Sequence, residues 1–388
     1  MSIGGDPWAW EVVSFLNESS SGRIFISYRR QETAWPAGAD RTAVARMSTA
    51  TVNVASIARL RPERQAGRSR WRILIAVVVV AVLGSLTAVG VVYARLPHDR
   101  GATPLYIGAQ PVRDPGSVII GAAGDIACPP GRWRNRPNAC GMEGTAKVLE
   151  AIRPDAVLTL GDHQYPSGSL TDFRTSYADT WGAYRDITFP VPGNHEYETP
   201  GAGGYFAYFG KRAGEPDKGY YSYDLGAWHL IALNSECHQI GGCGDSDPQA
   251  RWLRHDLEAH PRKCVLAYWH RPRFSSGRHG NYHELDALWR ILAGARAEVV
   301  LAGHDHDYER FTPMNADGEA DPKGVTQLVV GTGGWRHYKF RDPKPTSKVR
   351  ITGRDGVLRL QLTEQAYAWE FTAAPRGEVL DSGNSQCH

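Results

Sequence analysis

A strong excess of charge of either sign is missing from this 388-residue sequence, which has 44 Lys and Arg against 41 Asp and Glu and a formal net charge of +3. Such a balance implies no long basic face, so we expect no nucleic-acid binding, except where a nucleic acid is itself a substrate. Internal repeats of 20–50 residues are also missing, which excludes repeat architectures. The remaining composition is ordinary, 42% hydrophobic and 22% charged. The length suits one large domain with attachments or two modest domains.

Cysteine is missing from the first 127 residues, and no Cys-x-x-Cys pair occurs, which argues against a zinc ribbon. Six cysteines allow 15 pairings, and the sequence leaves the choice open. Oxidised pairs are typical of exported proteins, whereas reduced thiols would indicate a cytosolic one. We expect disulfides and export. Two pairs would close short loops and a third would join the remaining cysteines: Cys128/Cys140, Cys237/Cys243 and Cys264/Cys387.

Charge is missing altogether from residues 73–94, ILIAVVVVAVLGSLTAVGVVYA. A helix of this length covers about 30 Å, the thickness of a bilayer's hydrocarbon core. Arginines are concentrated just before this run, so the amino-terminal side is expected to be cytoplasmic and the rest of the chain extracytoplasmic. The run predicts a single-pass membrane anchor. A signal peptide cleaved after Ala94, giving a secreted protein, is the alternative.

Five zones follow along the chain. Residues 1–46 form a short cytoplasmic segment, 47–72 an Arg-rich linker, 73–94 the anchor, 95–115 a stalk and 116–388 one continuous domain. Residues 22–39, GRIFISYRRQETAWPAGA, resemble the opening strand and loop of a Toll/interleukin-receptor (TIR) domain. The rest of that fold is missing from the sequence, and so small a piece could not bury a core. We interpret this segment either as the remnant of such a domain or as sequence that is not translated, because the start codon was wrongly chosen and Met47 is the true start.

Residues 116–388 alternate apolar, β-branched runs with helical periodicity, the pattern of an α/β domain. Predicted strands cover 117–123, 156–160, 228–233, 264–269, 298–301 and 327–330, and predicted helices cover 143–152, 248–259 and 283–293. The tail, 356–362 and 366–372, alternates in a way that predicts an antiparallel edge.

Polar side chains follow five apolar runs, most of them directly after a glycine. They are Asp125, Asp162, Asn194-His195, His270 and His304-Asp305-His306. Because ligand sites in open α/β sheets gather at the carboxyl ends of strands, we expect these side chains to converge. Carboxylate, amide oxygen and imidazole donors suit iron, zinc or manganese. The set is also long enough for two metal ions that share a carboxylate.

In this order, the blocks GD, GDxxY, GNHE, a lone His and GHxH resemble the calcineurin-like metallophosphoesterase superfamily, over roughly residues 117–388. The resemblance implies a fold of the α/β (α+β) class, a β-sandwich flanked by helices. The first block lacks the usual Asp-x-His, since it reads Asp125-Ile126-Ala127. The block GDHQY, which ends at Tyr165, is similar to the GDxxY block of purple acid phosphatases. The phrase GHDHDYER, residues 303–310, is similar to their long GHxHxYER form.

The resemblance implies two metal ions, iron with zinc, manganese or a second iron. The ligands that it implies are Asp125, Asp162, Tyr165 and His306 on the first ion, and Asn194, His270 and His304 on the second, with Asp162 bridging. It further implies that a metal-bound hydroxide hydrolyses phosphate monoesters. An imidazole would protonate the leaving group, and His195 and His279 are the candidates. Two alternatives stay open, a phosphodiesterase of the same superfamily and a membrane receptor or adaptor with a catalytically idle ectodomain.

Overall fold

A computed structural model describes residues 116–131, 140–261 and 264–388, together with the backbone of four short strands nearer the amino terminus. Those strands form two antiparallel pairs: β1 (Trp10–Glu11) with β3 (Arg29–Arg30), and β2 (Ile24–Ile26) with β4 (Ala50–Val52). The TIR-like interpretation of residues 22–39 stays a prediction. The predicted membrane segment, 73–94, and the stalk, 95–115, lie outside the described residues. Within the described ranges, no helix is both long and apolar enough to cross a bilayer.

Two sheets form the body of the large domain. The first has the order β17-β16-β15-β5-β6-β7 and the second the order β14-β12-β13-β11-β10-β9-β8. Strands of the first sheet are β5 (Val118–Ala123), β6 (Ala156–Leu160), β7 (Thr188–Val191), β15 (Gly356–Leu362), β16 (Ala366–Ala373) and β17 (Glu378–Gln386). Strands of the second are β8 (Tyr221–Leu225), β9 (Trp228–Ala232), β10 (Cys264–Tyr268), β11 (Val299–Ala302), β12 (Tyr308–Phe311), β13 (Thr326–Val330) and β14 (Ser347–Ile351). Strands β5, β6 and β7 run parallel, as do β9, β10, β11 and β13.

The longer helices carry one buried stripe each. The described helices are α1 (Met142–Ile152), α2 (Leu170–Thr175), α3 (Gly203–Phe209), α4 (Pro248–Ala259) and α5 (Asp286–Gly294). In α1, Thr145, Val148 and Leu149 are buried at the spacing of a helix face. This helix ends at Arg153, which adopts the left-handed conformation of a helix terminus. Pro248 opens α4, where its fixed φ suits the first turn.

The second sheet lies between two hydrophobic cores, and alternate residues of its strands point into one core or the other. In β10, Leu266 and Tyr268 belong to the core shared with the first sheet, whereas Val265 and Ala267 belong to a second core. That second core also contains Leu253 of α4 and Leu292 of α5. Because alternate residues of a strand point to opposite faces, one apolar run serves both layers. The domain is therefore a β-sandwich with helices packed outside it, as expected.

Most predicted elements are present within one or two residues of their expected bounds. The two tail strands pair antiparallel as predicted, but neither is an edge strand: β15 lies between β5 and β16, and β16 lies between β15 and β17. The edge strand is β17, whose residues are largely polar and exposed, so it carries no apolar run to reveal it. All six cysteines are paired as expected, Cys128–Cys140, Cys237–Cys243 and Cys264–Cys387.

Candidate metal centre

The polar side chains that follow the strands meet at one end of the sandwich. Asp125 follows β5, Asp162 follows β6, Asn194 follows β7, His270 follows β10, and His304 and His306 follow β11. Strands β5, β6 and β7 belong to the first sheet, and strands β10 and β11 belong to the second. The two sheets thus bring their carboxyl ends together, as expected for an α/β ligand site.

One group of donor atoms gathers around the Tyr165 hydroxyl. This oxygen lies 3.0 Å from Oδ1 of Asp125, 3.0 Å from Oδ2 of Asp162 and 3.2 Å from Nε2 of His306. The His306 Nε2 also lies 3.2 Å from Oδ1 of Asp125. Four of the seven predicted ligands therefore form one compact cluster.

The other three predicted ligands form a second cluster that shares an atom with the first. His270 Nε2 lies 3.3 Å from Oδ2 of Asp162, 3.2 Å from Oδ1 of Asn194 and 3.2 Å from Nδ1 of His304. Ligand atoms of Asp162, His270 and His304 all lie within 4.8 Å of one another. Asp162 Oδ2 therefore belongs to both clusters.

The spacing of these atoms fits metal ions. Ligand atoms held about 2.1 Å from one ion lie about 3.0–3.4 Å apart, which is the spacing found in both clusters. Asp125 and Asp162 are buried, at 0% and 1% exposure. Two carboxylates withdrawn from water require positive charge nearby. The donor set, with carboxylates, a phenol, an amide and imidazoles, suits iron, zinc or manganese.

Three of these donors have a second contact that orients them. Asp125 accepts the His304 backbone N–H on Oδ2, at 2.8 Å, and turns Oδ1 to the site. Asp162 accepts the His195 backbone N–H on Oδ1, at 2.9 Å, and turns Oδ2 to the site. His270 Nδ1 lies 2.8 Å from the Leu160 carbonyl oxygen, which leaves Nε2 for the site. Such outer contacts fix the orientation of metal ligands.

Glycine precedes several of these donors because the loops touch. A Cβ on Gly161 would lie 2.5 Å from Nδ1 of His270, and a Cβ on Gly193 would lie 2.3 Å from Oδ1 of Asp162. Neither contact is sterically possible. The recurrent Gly-polar pattern of the sequence is therefore a packing requirement of the converging loops.

Backbone strain is concentrated at the same place. Asp125, Asp162 and His304 have φ values of 60°, 47° and 70°, in the left-handed region that non-glycine residues seldom adopt. Strain of this kind persists only where the surrounding structure imposes it, and it is often found at functional sites.

Asp162 and His270 form a buried pair whose electrostatics favours their charged forms. Burial by itself would raise the pKa of Asp162, but the adjacent His270 holds that pKa well below its usual range. Burial would lower the pKa of His270, and Asp162 outweighs burial and raises it to about 10. Burial, with His270 and Arg271 nearby, holds the pKa of His304 well below its usual value.

The two candidate proton donors border opposite clusters. The His195 ring lies 4.4 Å from that of Tyr165, and its Nε2 is 3.9 Å from Oδ2 of Asp162. The His279 ring lies 4.3 Å from that of His304, and its Nδ1 is 3.0 Å from Oδ1 of Asp305. Their side chains are 32% and 37% exposed. Both imidazoles can therefore reach a substrate at the mouth of the site.

Several residues around the site were not predicted. Glu196 is fully buried and accepts the backbone N–H groups of Asp162, His163 and Gly193, at 2.8, 2.9 and 2.8 Å. Its place in the GNHE block was the available signal. Arg271, which directly follows a predicted ligand, has Nη1 3.3 Å from Nε2 of His304.

Two aromatic side chains form a wall beside the first cluster. Trp335 stacks on Tyr165 with ring centroids 4.8 Å apart, and Tyr338 stacks on His306 at 4.1 Å. Their loop is joined to the site by main-chain hydrogen bonds from Trp335 N–H to the Asp125 carbonyl and from Tyr338 N–H to the His306 carbonyl. The wall restricts how Tyr165 and His306 can turn.

Comparison with known proteins gives a consistent result. Residues 120–308 match the family model described as calcineurin-like phosphoesterase. The chain is 26% identical to purple acid phosphatase 15 of Arabidopsis thaliana over 264 residues, which cover 58% of this chain and 48% of that protein. It is 34% identical to Arabidopsis purple acid phosphatase 21 over 193 residues, 44% of this chain and 42% of the relative. The chain spans about half the length of the curated relatives it matches.

Among solved structures, the purple acid phosphatase PPD1 from yellow lupin seeds superposes with a TM-score of 0.60. The superposition covers 69% of this chain and 53% of the lupin chain, at 17% identity, so this likeness concerns the fold alone. The family match and the curated relatives agree with the clusters described above. Over residues 120–308 the chain is thus similar to calcineurin-like phosphoesterases, and the curated proteins that it resembles there are purple acid phosphatases.

Proposed function

We propose that this chain is a phosphatase that hydrolyses phosphate monoesters with two metal ions, iron with zinc, manganese or a second iron. The proposed ligands are Asp125, Asp162, Tyr165 and His306 for one ion, and Asp162, Asn194, His270 and His304 for the other. The observation that carries the proposal is the position of Asp162, whose Oδ2 lies 3.0 Å from the Tyr165 hydroxyl and 3.3 Å from His270 Nε2. A single shared carboxylate oxygen between two donor clusters is what a dinuclear centre requires.

The side chains divide the work of the reaction. Two bound ions would supply a water of lowered pKa and would neutralise the phosphoryl oxygens. Asp162 holds the two halves of the site together, and the contacts behind Asp125, Asp162 and His270 keep these three donors in place, which reduces the reorganisation needed during the reaction. The leaving oxygen needs a proton, and we assign that donation to His279, whose Nδ1 is held by Asp305. His195, beside Tyr165, is the second candidate.

A phosphodiesterase would use the same ligands, so the nature of the ester is a question for experiment. A membrane receptor with a catalytically idle ectodomain would tolerate loss of ligands. All seven predicted ligands are present, and they converge in two clusters that share Asp162. The intact set supports an enzyme.

We further propose that the domain lies outside the cytoplasm, held to the membrane by residues 73–94. Three disulfides support the location, because such bonds persist in oxidising compartments. The anchor is supported by the length and apolarity of that segment. Secretion after cleavage at Ala94 is the alternative, and the mass of the mature protein in membrane and medium fractions separates the two.

The function is tested by hydrolysis of an aryl phosphate monoester and the matching diester by the full-length chain, with and without chelator. We expect turnover of the monoester that chelator abolishes and that Asn194→Ala lowers at least ~100-fold, because a ligand to one of two ions is lost. The matched control is Asn384→Ala, an exposed change on β17. Preference for the diester would favour the phosphodiesterase. Absence of turnover after loading with iron, zinc or manganese would contradict the proposal.

A further inference from the structure

Asp305 lies between two proposed ligands, His304 and His306, but its carboxylate points to a different loop. Its Oδ1 accepts the backbone N–H of His279 at 2.9 Å and lies 3.0 Å from Nδ1 of the same residue. Its Oδ2 accepts the Ser275 hydroxyl at 2.5 Å. Asp305 is fully buried. Three contacts therefore attach this one carboxylate to residues 275–279.

The loop is built closely around Asp305. A Cβ on Gly277 would lie 2.5 Å from Cγ of Asp305, so the carboxylate fills the space in which a side chain would stand. Ser275 Oγ also accepts the Gly277 N–H at 2.8 Å, and the Ser275 N–H donates to Oδ1 of Asn281 at 3.0 Å. These two hydrogen bonds hold residues 275–281 in a turn around the Asp305 carboxylate.

These contacts fix the His279 ring as well as its backbone. With Nδ1 donating to Asp305, the proton on that nitrogen is defined and Nε2 stays on the opposite edge of the ring. The ring lies 4.3 Å from His304 and is 37% exposed. The segment that carries one ligand of each proposed ion therefore also carries the group that orients His279.

We propose that Asp305 is a positioning residue that holds His279, through Nδ1, with Nε2 directed to the leaving-group oxygen of the ester. This inference rests on the proposed function. A purely structural role is the competing explanation, because loss of a buried carboxylate could loosen the loop and disturb His304 or His306. The two explanations differ in which substrates are affected.

The test compares phenyl phosphate, a poor leaving group, with 4-nitrophenyl phosphate, a good one, in the full-length protein. We expect Asp305→Asn to lower kcat for phenyl phosphate by ~10–100-fold and kcat for 4-nitrophenyl phosphate by less than ~3-fold, since general-acid assistance matters most for the poorer leaving group. Metal content per chain should equal that of the wild type. Equal losses on both esters, or no loss on either, would overturn the proposal.

A double-mutant cycle shows whether Asp305 acts through His279. His279→Asn keeps a donor near the position of Nδ1 and removes Nε2. If the two residues act as one unit, the Asp305→Asn/His279→Asn protein is no slower on phenyl phosphate than His279→Asn alone. Losses that multiply would mean that Asp305 acts elsewhere. The matched control is Asp224→Asn, which removes a carboxylate 2.8 Å from Nδ1 of the remote His229 and should change neither ester.

A measurement independent of turnover keeps this inference separate from the proposed function. In the zinc-loaded protein with ¹⁵N-labelled histidine, His279 should show a proton on Nδ1 in a strong hydrogen bond, and Asp305→Asn should lose that signal. Ser275→Ala, a milder change, should weaken it. A wild-type His279 without a proton on Nδ1, or an unchanged signal in Asp305→Asn, would overturn the positioning role. Absence of turnover in all proteins with the signal intact would instead count against the proposed function alone.

Discussion

Tyr165 shows how a single residue depends on the proposed ions. Burial, with Asp125 and Asp162 next to the hydroxyl, raises the pKa of this phenol well above its usual value. In the absence of a cation the hydroxyl therefore keeps its proton. A phenolate between two carboxylates is reasonable only when a metal ion supplies positive charge.

Substitution of Tyr165 by Phe tests this dependence. Iron-loaded wild-type protein should have a visible absorption band from a phenolate bound to ferric iron, and Tyr165→Phe should lose it while it still binds iron through the remaining ligands. The control is Tyr184→Phe, a partly buried tyrosine in the 3-10 helix Trp181–Ile187. A band that survives in Tyr165→Phe would show that Tyr165 is not a ligand.

At the scale of elements, the sequence was informative wherever an element is apolar and buried. Strands such as β6 and β10 are buried at every position, and their apolar runs predicted them within a residue. Strand β17 was missed because its residues are mostly polar and none of them is fully buried, so the sequence shows no apolar run there. Short helices such as α2, with six residues, are too brief to show periodicity.

The residues of the site also fall into a group that the sequence predicted and a group that it did not. Its seven proposed ligands were predictable because each follows an apolar strand or a family block. The contacts that aim those ligands were not predictable. Glu196 and Asp305 act on residues that are distant in sequence or on the backbone of another loop, and such pairs follow only from the packing of the two sheets.

Glu196 joins the loop after β6 to the loop after β7, which predicts a stability effect. Its carboxylate accepts three backbone N–H groups while fully buried. Glu196→Gln replaces one acceptor oxygen by a donor, so at least one buried N–H loses its partner. We expect the free energy of unfolding to fall by about 2–3 kcal/mol, measured by urea unfolding. Glu150→Gln, on the exposed side of α1, should change it by less than about 0.5 kcal/mol; comparable losses would contradict this role.

His229 of β9 joins its strand to α4 through a pH-dependent contact. Its Nε2 lies 2.9 Å from Oδ2 of Asp256, and its Nδ1 lies 2.8 Å from Oδ1 of Asp224. Burial by itself would lower the pKa of His229, but the contacts with Asp256 and Asp224 raise it above 6.5. Burial would raise the pKa of Asp256, but its bonds to His229 and Ser222 lower it below 3.8. Both shifts mark stabilisation of the charged pair in the folded state.

The sign of each shift defines a pH window. The contribution of His229, with its raised pKa, is complete below pH 6.5 and is lost as the pH rises through the folded-state value. The contribution of Asp256, with its lowered pKa, is complete above pH 3.8 and is lost as the pH falls through the folded-state value. Wild type should therefore exceed His229→Gln in stability most between these two values, by about 1–3 kcal/mol. A difference that grows above pH 7 would refute this; the control is the exposed His255→Gln.

For the whole molecule, the disulfides should differ in their contribution to stability. Cys264–Cys387 joins residues 123 apart in sequence, whereas Cys237–Cys243 joins residues 6 apart. The entropy of loop closure predicts a loss of about 4–5 kcal/mol when the first pair is replaced by serines and about 2 kcal/mol for the second. Urea unfolding of the two double variants measures both losses. A larger loss for Cys237–Cys243 would contradict the chain-entropy explanation.

The central claim, a phosphatase built around two metal ions, is tested most directly by titration of the metal-free full-length protein with metal ions while hydrolysis of an aryl phosphate monoester is recorded. The shared position of Asp162 predicts that activity rises until two ions are bound per chain and then levels off. It also predicts that Asp162→Asn gives no such rise. Full activity at one ion per chain, or no activity at any ratio, would contradict the account.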